Sequence, residues 1–268
     1  MKKNPLVGIY VALVLFVMYL PIFQVIIYSF NENKLTSVWG GFSLRWYGDL
    51  FRDRSMFEAL RNSIVLAIIS AVLAAVIGTL GAVGMSRAKL RGAAVMEYIA
   101  TLPIMVPEII LGMVFLAFFS LIRLPFGMVT LVIAHTAFCV PYILLLVKAR
   151  LAGMDKNYVE AARDLGAGEL RAFFDITLPM IVPAVVSGML LAVAMSLDDV
   201  IISVFVTGVN TNTLPIKIYT QIKTGVTPKT NALCTILFLF TIIMGGLSSI
   251  LGSGRARKAK RRGAPEDY

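Results

Sequence analysis

One histidine and two cysteines in 268 residues leave little room for metal or redox chemistry. His135 has no companions for a zinc-type site and reads as a residue packed at a helix interface. Cys139 and Cys234 both fall inside apolar runs, so they supply no disulfide framework and indicate no redox compartment. A G-x-x-x-x-G-K-[ST] loop is missing, so the chain does not cradle ATP phosphates by that device. The G-x-G-D and Y-D patterns of an intramembrane aspartyl protease are missing too. Charge is thin: 15% of residues are Asp, Glu, Lys or Arg, against 58% hydrophobic.

Long apolar runs fill the place of charge. The mean hydropathy of +0.84 exceeds what a soluble core requires and indicates a membrane protein. Six runs are long enough to cross about 30 Å of hydrocarbon as helices. They are Leu6 to Phe30, Ser63 to Ser86, Val95 to Phe119, Gly127 to Val147, Met180 to Val206 and Ala232 to Leu251. Their continuity favours helices over barrel strands, which predicts an all-α polytopic fold with one transmembrane domain over 1–268. The start, "MKKNPLVGIYVALVLFVMYLPIF", has the charged flank of a signal peptide. Its apolar run is longer than such a peptide needs, and it reads as an uncleaved first span.

The net charge of +10 is carried by 25 basic residues, and their placement matters more than their sum. With both termini cytoplasmic, sixteen fall inside and nine outside, as the positive-inside rule requires. The inner set includes Lys2, Lys3, Lys89, Arg91, Lys156 and a basic tail, about 253–268, whose "RARKAKRR" suits anionic inner-leaflet lipid. Nothing folded or aromatic-rich accompanies that run, which argues against nucleic acid as a partner.

Three connections stand out. An outer loop, Asn31 to Asn62, mixes turn glycines with aromatics and a short amphipathic pattern; a second, "TGVNTNTLPIKIYTQIKTGVTPKTN", reads either as a re-entrant turn or as an interfacial cap. The inner connection, about 149–179, has helical spacing. Asp155 is placed to cap a helix with Tyr158, Ala161, Ala162 and Leu165 on one face, and Gly166 suits a left-handed stop. A second short helix from Glu169 presents Leu170, Phe173 and Phe174 before Leu178 and Pro179 end it. This helix-turn-helix is too small to fold alone, and its apolar side chains call for a partner.

The inner connection resembles the signature of ABC importer permease subunits: E-A-A, three residues, G, nine residues, I, one residue, L-P. Here Glu160, Ala161, Ala162, Gly166, Ile176, Leu178 and Pro179 occupy every fixed position. The resemblance implies a type I importer fold in a bacterial inner membrane. It implies a second permease subunit, two cytoplasmic ATPase subunits that bind ATP and Mg, and a periplasmic substrate-binding protein. The 149–179 loop would then couple to an ATPase, with no cofactor and no enzymatic site in this chain. "SLDDVIISVFVTGVNTNTLPIKIY", "FSLRWY" and "TGVTPKTNALCTI" look like the spermidine/putrescine permease subfamily, most like the second of that system's two permeases. Related permeases for ferric iron, sulfate or phosphonates share the scaffold.

Acids inside the spans are the remaining anomaly, because each costs on the order of 3 kcal/mol at depth and usually faces a cavity or partner. Counted along straight helices, Asp198 lies about 25 Å into the fifth span and Glu108 roughly 20 Å into the third. Asp199 shares a face with Ser196 and Ser203, whereas Asp198 is turned about 100° away. One aspartate could instead cap a helix break, and Pro107 could open a half-helix that favours Glu108. Acids at similar depth, without Lys or Arg in the same spans, suggest a cationic cargo, which suits a polyamine. Trp46 offers a cation–π surface or an interfacial belt residue. The resemblance places Trp46, Glu108, Ser196, Asp198 and Asp199 in or near the cargo route, and marks Glu169 as functional, here through coupling.

Overall fold

The computed structural model describes residues 5–34, 38–87, 92–155, 157–209 and 211–243. The basic tail, Lys2, Lys3, Lys89, Arg91 and Lys156 lie outside the described residues. The described chain is a series of helices: α1 (Pro5–Tyr28), α2 (Arg45–Phe51), α3 (Arg54–Arg87), α4 (Ala93–Met105), α5 (Glu108–Leu121), α6 (Met128–Ala152), α7 (Asn157–Asp164), α8 (Glu169–Ala172), α9 (Leu178–Asp198), α10 (Ile201–Val206) and α11 (Leu214–Thr224). A last helix, α12 (Pro228–Ile243), follows.

Four helical stretches have the length and composition of membrane spans: Leu6–Tyr28, Arg54–Ser86, Met128–Ala152 and Glu169–Asp198. The α4–α5 pair makes a fifth, bent by 108° at its break. α12 is apolar but shorter, and the rest of the sixth expected span, 244–251, lies outside the described residues.

Several boundaries differ from the sequence expectation, among them the fifth span, which breaks between α9 and α10. α3 starts at Arg54 instead of Ser63, because no breaker interrupts the polar stretch that precedes its apolar part. The third span is two helices. Pro107 lacks an N–H, and Val106 before it is extended (φ −82°, ψ 130°). Leu178 and Pro179 do not end the short helix that starts at Glu169. A π-helical turn, Phe173–Thr177, joins α8 to α9, and Pro179 falls in the first turn of α9. A wider turn there absorbs the missing donor.

The chain divides into two compact units, Met1–Arg54 with Thr220–Tyr268, and Ser55–Tyr219. In the first, α1 is apolar along its length with most side chains uncovered, as lipid or another helix would require. Its end is tied to α2: Tyr47 Oη lies 2.7 Å from Ser29 Oγ, and Phe30 stacks on Phe42 at 5.2 Å. Asp53 and Lys229 form an ion pair, both largely shielded.

In the second unit α6 is the central helix. Leu131, Ala134, Cys139, Ile143 and Val147 on it are fully buried. α3 and α9 approach it closely at glycines, where an added Cβ would meet Val140 O at 3.0 Å from Gly78 and Ile143 Cγ1 at 3.1 Å from Gly188. Small residues at such crossings let apolar helices pack where no hydrophobic drive separates helix from lipid. Glu97 on α4 pairs with Lys148 on α6, and α5 packs against α10.

Candidate functional site: an acidic cavity between two broken helices

The two helix breaks meet at one cavity of about 430 Å³. Glu108, Asp198 and Asp199 line it, with Pro103, Phe138 and Tyr142 among the other walls, and among the described residues no Lys or Arg side chain does. The two aspartates share this cavity but have different surroundings, Asp198 exposed and Asp199 buried against Ser203 and His135. α9 ends at Asp198, and Asp199 is extended (φ −65°, ψ 124°), so the chain turns between them.

Each acid stands in a different electrostatic position. Glu108 is in the first turn of α5, where exposed N–H groups and the helix dipole favour negative charge. Asp199 is buried and caps α10. Its Oδ2 accepts from Ser203 N (2.8 Å) and Ser203 Oγ (2.7 Å), and its Oδ1 from Ile202 N (3.2 Å). Such a carboxylate satisfies donors that the broken helix would otherwise leave open. Asp198 sits at the opposite kind of terminus. It is exposed at the last residue of α9, where terminal carbonyls add negative potential. Cation binding in helix-interrupted transport sites uses that polarity.

Asp199 has a partner that sequence reasoning missed. His135 Nε2 lies 3.4 Å from Asp199 Oδ2 and 3.0 Å from Ser203 Oγ, and its Nδ1 lies 2.7 Å from Ser196 Oγ. The packed-interface reading of His135 fits its complete burial, but the ring also joins polar groups on α9 and α10. A signal existed: His135, Phe138 and Tyr142 follow i, i+3, i+7 spacing on α6, so one face carries an imidazole and two aromatic walls of the cavity.

The other expected residues fall elsewhere. Ser196 is buried against His135 and does not line the cavity. Trp46, in the first unit, is largely buried, with its Nε1 donating to Asn31 O at 2.7 Å. The Arg45 guanidinium lies 5.4 Å from its ring centroid, so the cation over that indole is the chain's own. Among the described residues, no three His, Cys, Asp or Glu side chains converge as a metal site would need.

The first half of the inner loop takes the expected form. Asp155 Oδ1 accepts from Asn157 N at 3.0 Å at the start of α7. Gly166 is left-handed (φ 84°), and Ala167 N to Ala162 O (3.0 Å) with Gly166 N to Arg163 O (2.8 Å) completes a Schellman stop. Glu160 is exposed. Glu169 on α8 pairs with Arg163 on α7 at 3.0 Å, holding the two short helices together. Tyr158, Leu165, Leu170 and Phe174 all stand exposed, Leu165 by 90%.

Residues 74–257 match the family described as binding-protein-dependent transport system inner membrane component. The chain is 40% identical over 252 residues to the putrescine transport system permease protein PotI of Escherichia coli (strain K12), covering 91% of this chain and 89% of that protein. It is 38% identical over 234 residues to the spermidine/putrescine transport system permease protein PotC of Haemophilus influenzae, covering 87% and 91%. Among solved structures, a bacterial ABC transporter involved in the import of the acidic polysaccharide alginate shares the fold, with a TM-score of 0.70 and 15% identity over 94% of this chain and 98% of that one. The MetNI methionine ABC transporter does so with a TM-score of 0.55 and 20% identity, over 81% and 98%. The chain belongs to the family of inner membrane components of binding-protein-dependent transport systems, and its fold is that of an ABC importer permease.

Proposed function

We propose that the chain is the permease subunit of an ATP-driven importer that moves polyamines, putrescine or spermidine, across a bacterial inner membrane. The observation that carries the cargo class is the cavity, which joins Glu108, Asp198 and Asp199 with no Lys or Arg in its wall among the described residues. The fold alone is neutral, since it is shared with an importer of an acidic polysaccharide. Relatives named for putrescine and spermidine support the same cargo. A cation with several separated amines suits several separated carboxylates, and α9's C-terminal polarity makes Asp198 its principal contact. Binding there is weak by design of the route, because tight capture would oppose release.

Energy comes from outside the chain. The exposed apolar side chains of α7 and α8, with Glu160 and Gly166 at the turn, dock in a groove of a cytoplasmic ATPase subunit, one of two that bind ATP with Mg. A second permease subunit completes the pathway, and a periplasmic binding protein delivers cargo to the outer loops. Both termini then lie in the cytoplasm, which puts sixteen of 25 basic residues on the inner side.

The test is uptake of labelled putrescine and spermidine by proteoliposomes holding the assembled complex, with ferric iron and a phosphonate as rival cargoes. Polyamine uptake that falls with Asp198→Asn and Glu108→Gln is expected. Unaltered uptake by both variants, or preference for a rival cargo, overturns the reading.

A further inference from the structure

The geometry points to His135 as a positioning residue for transport: it clamps the break in the fifth span and thereby sets where the Asp198 carboxylate stands in the cavity. This inference rests on the cargo route proposed above and adds a residue that does not itself line the cavity.

Three observations carry it. The ring spans the break. Nδ1 bonds Ser196, which precedes the break on α9, and Nε2 bonds Ser203, which follows it on α10. Both contacts are fully buried, so no water competes for them. Secondly, proton bookkeeping is complete. Ser203 commits its hydroxyl proton to Asp199, so its Oγ accepts from Nε2–H of His135, and in the neutral ring Nδ1 accepts the Ser196 proton. Thirdly, among the described residues His135 is the contact that Asp199 makes on another helix; the carboxylate's hydrogen bonds are to Ile202 and Ser203, three and four residues on. Removing the imidazole leaves the cap made but without its tie to α6 at the break, while Val206 O at the far end of α10 still accepts from Thr130 Oγ1 at 2.7 Å.

Asp198 adjoins this clamp directly. Its carboxylate is placed by the backbone turn at Asp199, and Phe138, a wall of the same cavity, packs against the imidazole at 5.1 Å. Movement of α10 relative to α9 would shift the acid and the wall together. Ser196 acquires a role by the same geometry: it is one jaw of the clamp and has no contact with cargo.

The experiment measures putrescine imported per ATP hydrolysed by the complete complex in proteoliposomes. A variant that merely lowers the amount of folded complex reduces uptake and hydrolysis together and leaves that ratio unchanged. His135→Leu removes the bonds to both Ser196 and Ser203 and is expected to lower the ratio about tenfold, the scale of one or two lost buried hydrogen bonds. His135→Gln, whose amide nitrogen can donate where Nε2 does, restores it to within about threefold of the parent. Combined with Asp198→Asn, His135→Leu adds no further loss, since both act on one carboxylate. If His135→Leu does not assemble, Ser203→Ala removes one clamp hydroxyl and is expected to lower the ratio about threefold. An unchanged ratio in the assembled variant, or Gln no better than Leu, overturns the positioning role. Should Asp198→Asn itself leave the ratio unchanged, the cargo route falls and this inference with it; a loss with Asp198→Asn but none with His135→Leu overturns the inference alone.

Discussion

Asp198 closes α9 and Asp199 opens the cap of α10, so two neighbouring carboxylates stand at helix ends of opposite polarity. Their substitutions separate accordingly. Asp199→Ala removes the bonds to Ile202 and Ser203 and the contact with His135, and is expected to cost about 1–3 kcal/mol. Thermal unfolding of the purified complex in detergent reads this loss. Asp198→Asn keeps shape, changes stability by less than about 0.5 kcal/mol, and lowers polyamine uptake. Equal melting temperatures for the two variants would contradict this division.

Glu160→Arg places a cation at the exposed turn of α7. Energised uptake is expected to fall below about a tenth of the parent value, since charge reversal at a docking surface costs several kcal/mol. Co-purification of the ATPase with the permease is the direct check, and retention of both binding and uptake would remove this loop from the coupling path.

Gly166 has open space where a Cβ would go, but its φ of 84° is unfavourable for alanine. Gly166→Ala is therefore expected to weaken the stop after α7 by about 1–2 kcal/mol, while Gly166→Asn is milder. Hydrogen exchange at the amides of Gly166 and Ala167, which bond Arg163 and Ala162, reports the difference.

Gly208 poses the contrary problem. An added Cβ would lie 2.2 Å from the carbonyl oxygen of Phe126, backbone that has no rotamer to yield. Gly208→Ala is expected to destabilise by about 1–3 kcal/mol. Gly84→Ala, in the interior of α3 with nothing within 4 Å, is expected to be neutral or to gain up to about 1 kcal/mol. The order of the two melting temperatures tests both statements.

Much of this architecture was written in local pattern. The apolar runs announced the helices, Asp155 and Gly166 announced the bounds of α7, and Pro107 with Glu108 allowed a half-helix. Each of those signals acts within a few residues. The contact between His135 and Asp199 was not legible, because it joins helices far apart in sequence and no periodicity encodes which faces meet. The break after Asp198 was hidden for a related reason: helical arithmetic assumes an unbroken helix, and Asp199 is extended where the fifth span was expected to continue. Continuity through Pro179 was hidden as well, since a proline looks the same whether it ends a helix or sits in the first turn of one.

That continuity has a mechanical meaning. Glu169–Asp198 is one stretch of 30 residues, a rod of about 45 Å at 1.5 Å per residue. It begins in the loop that carries the exposed apolar side chains and finishes at the carboxylate in the cavity. A tilt of about 5° pivoted at the Glu169 end sweeps the Asp198 end through about 4 Å at that length. The π turn thus makes the chain its own lever, with the load arm ending on an acid.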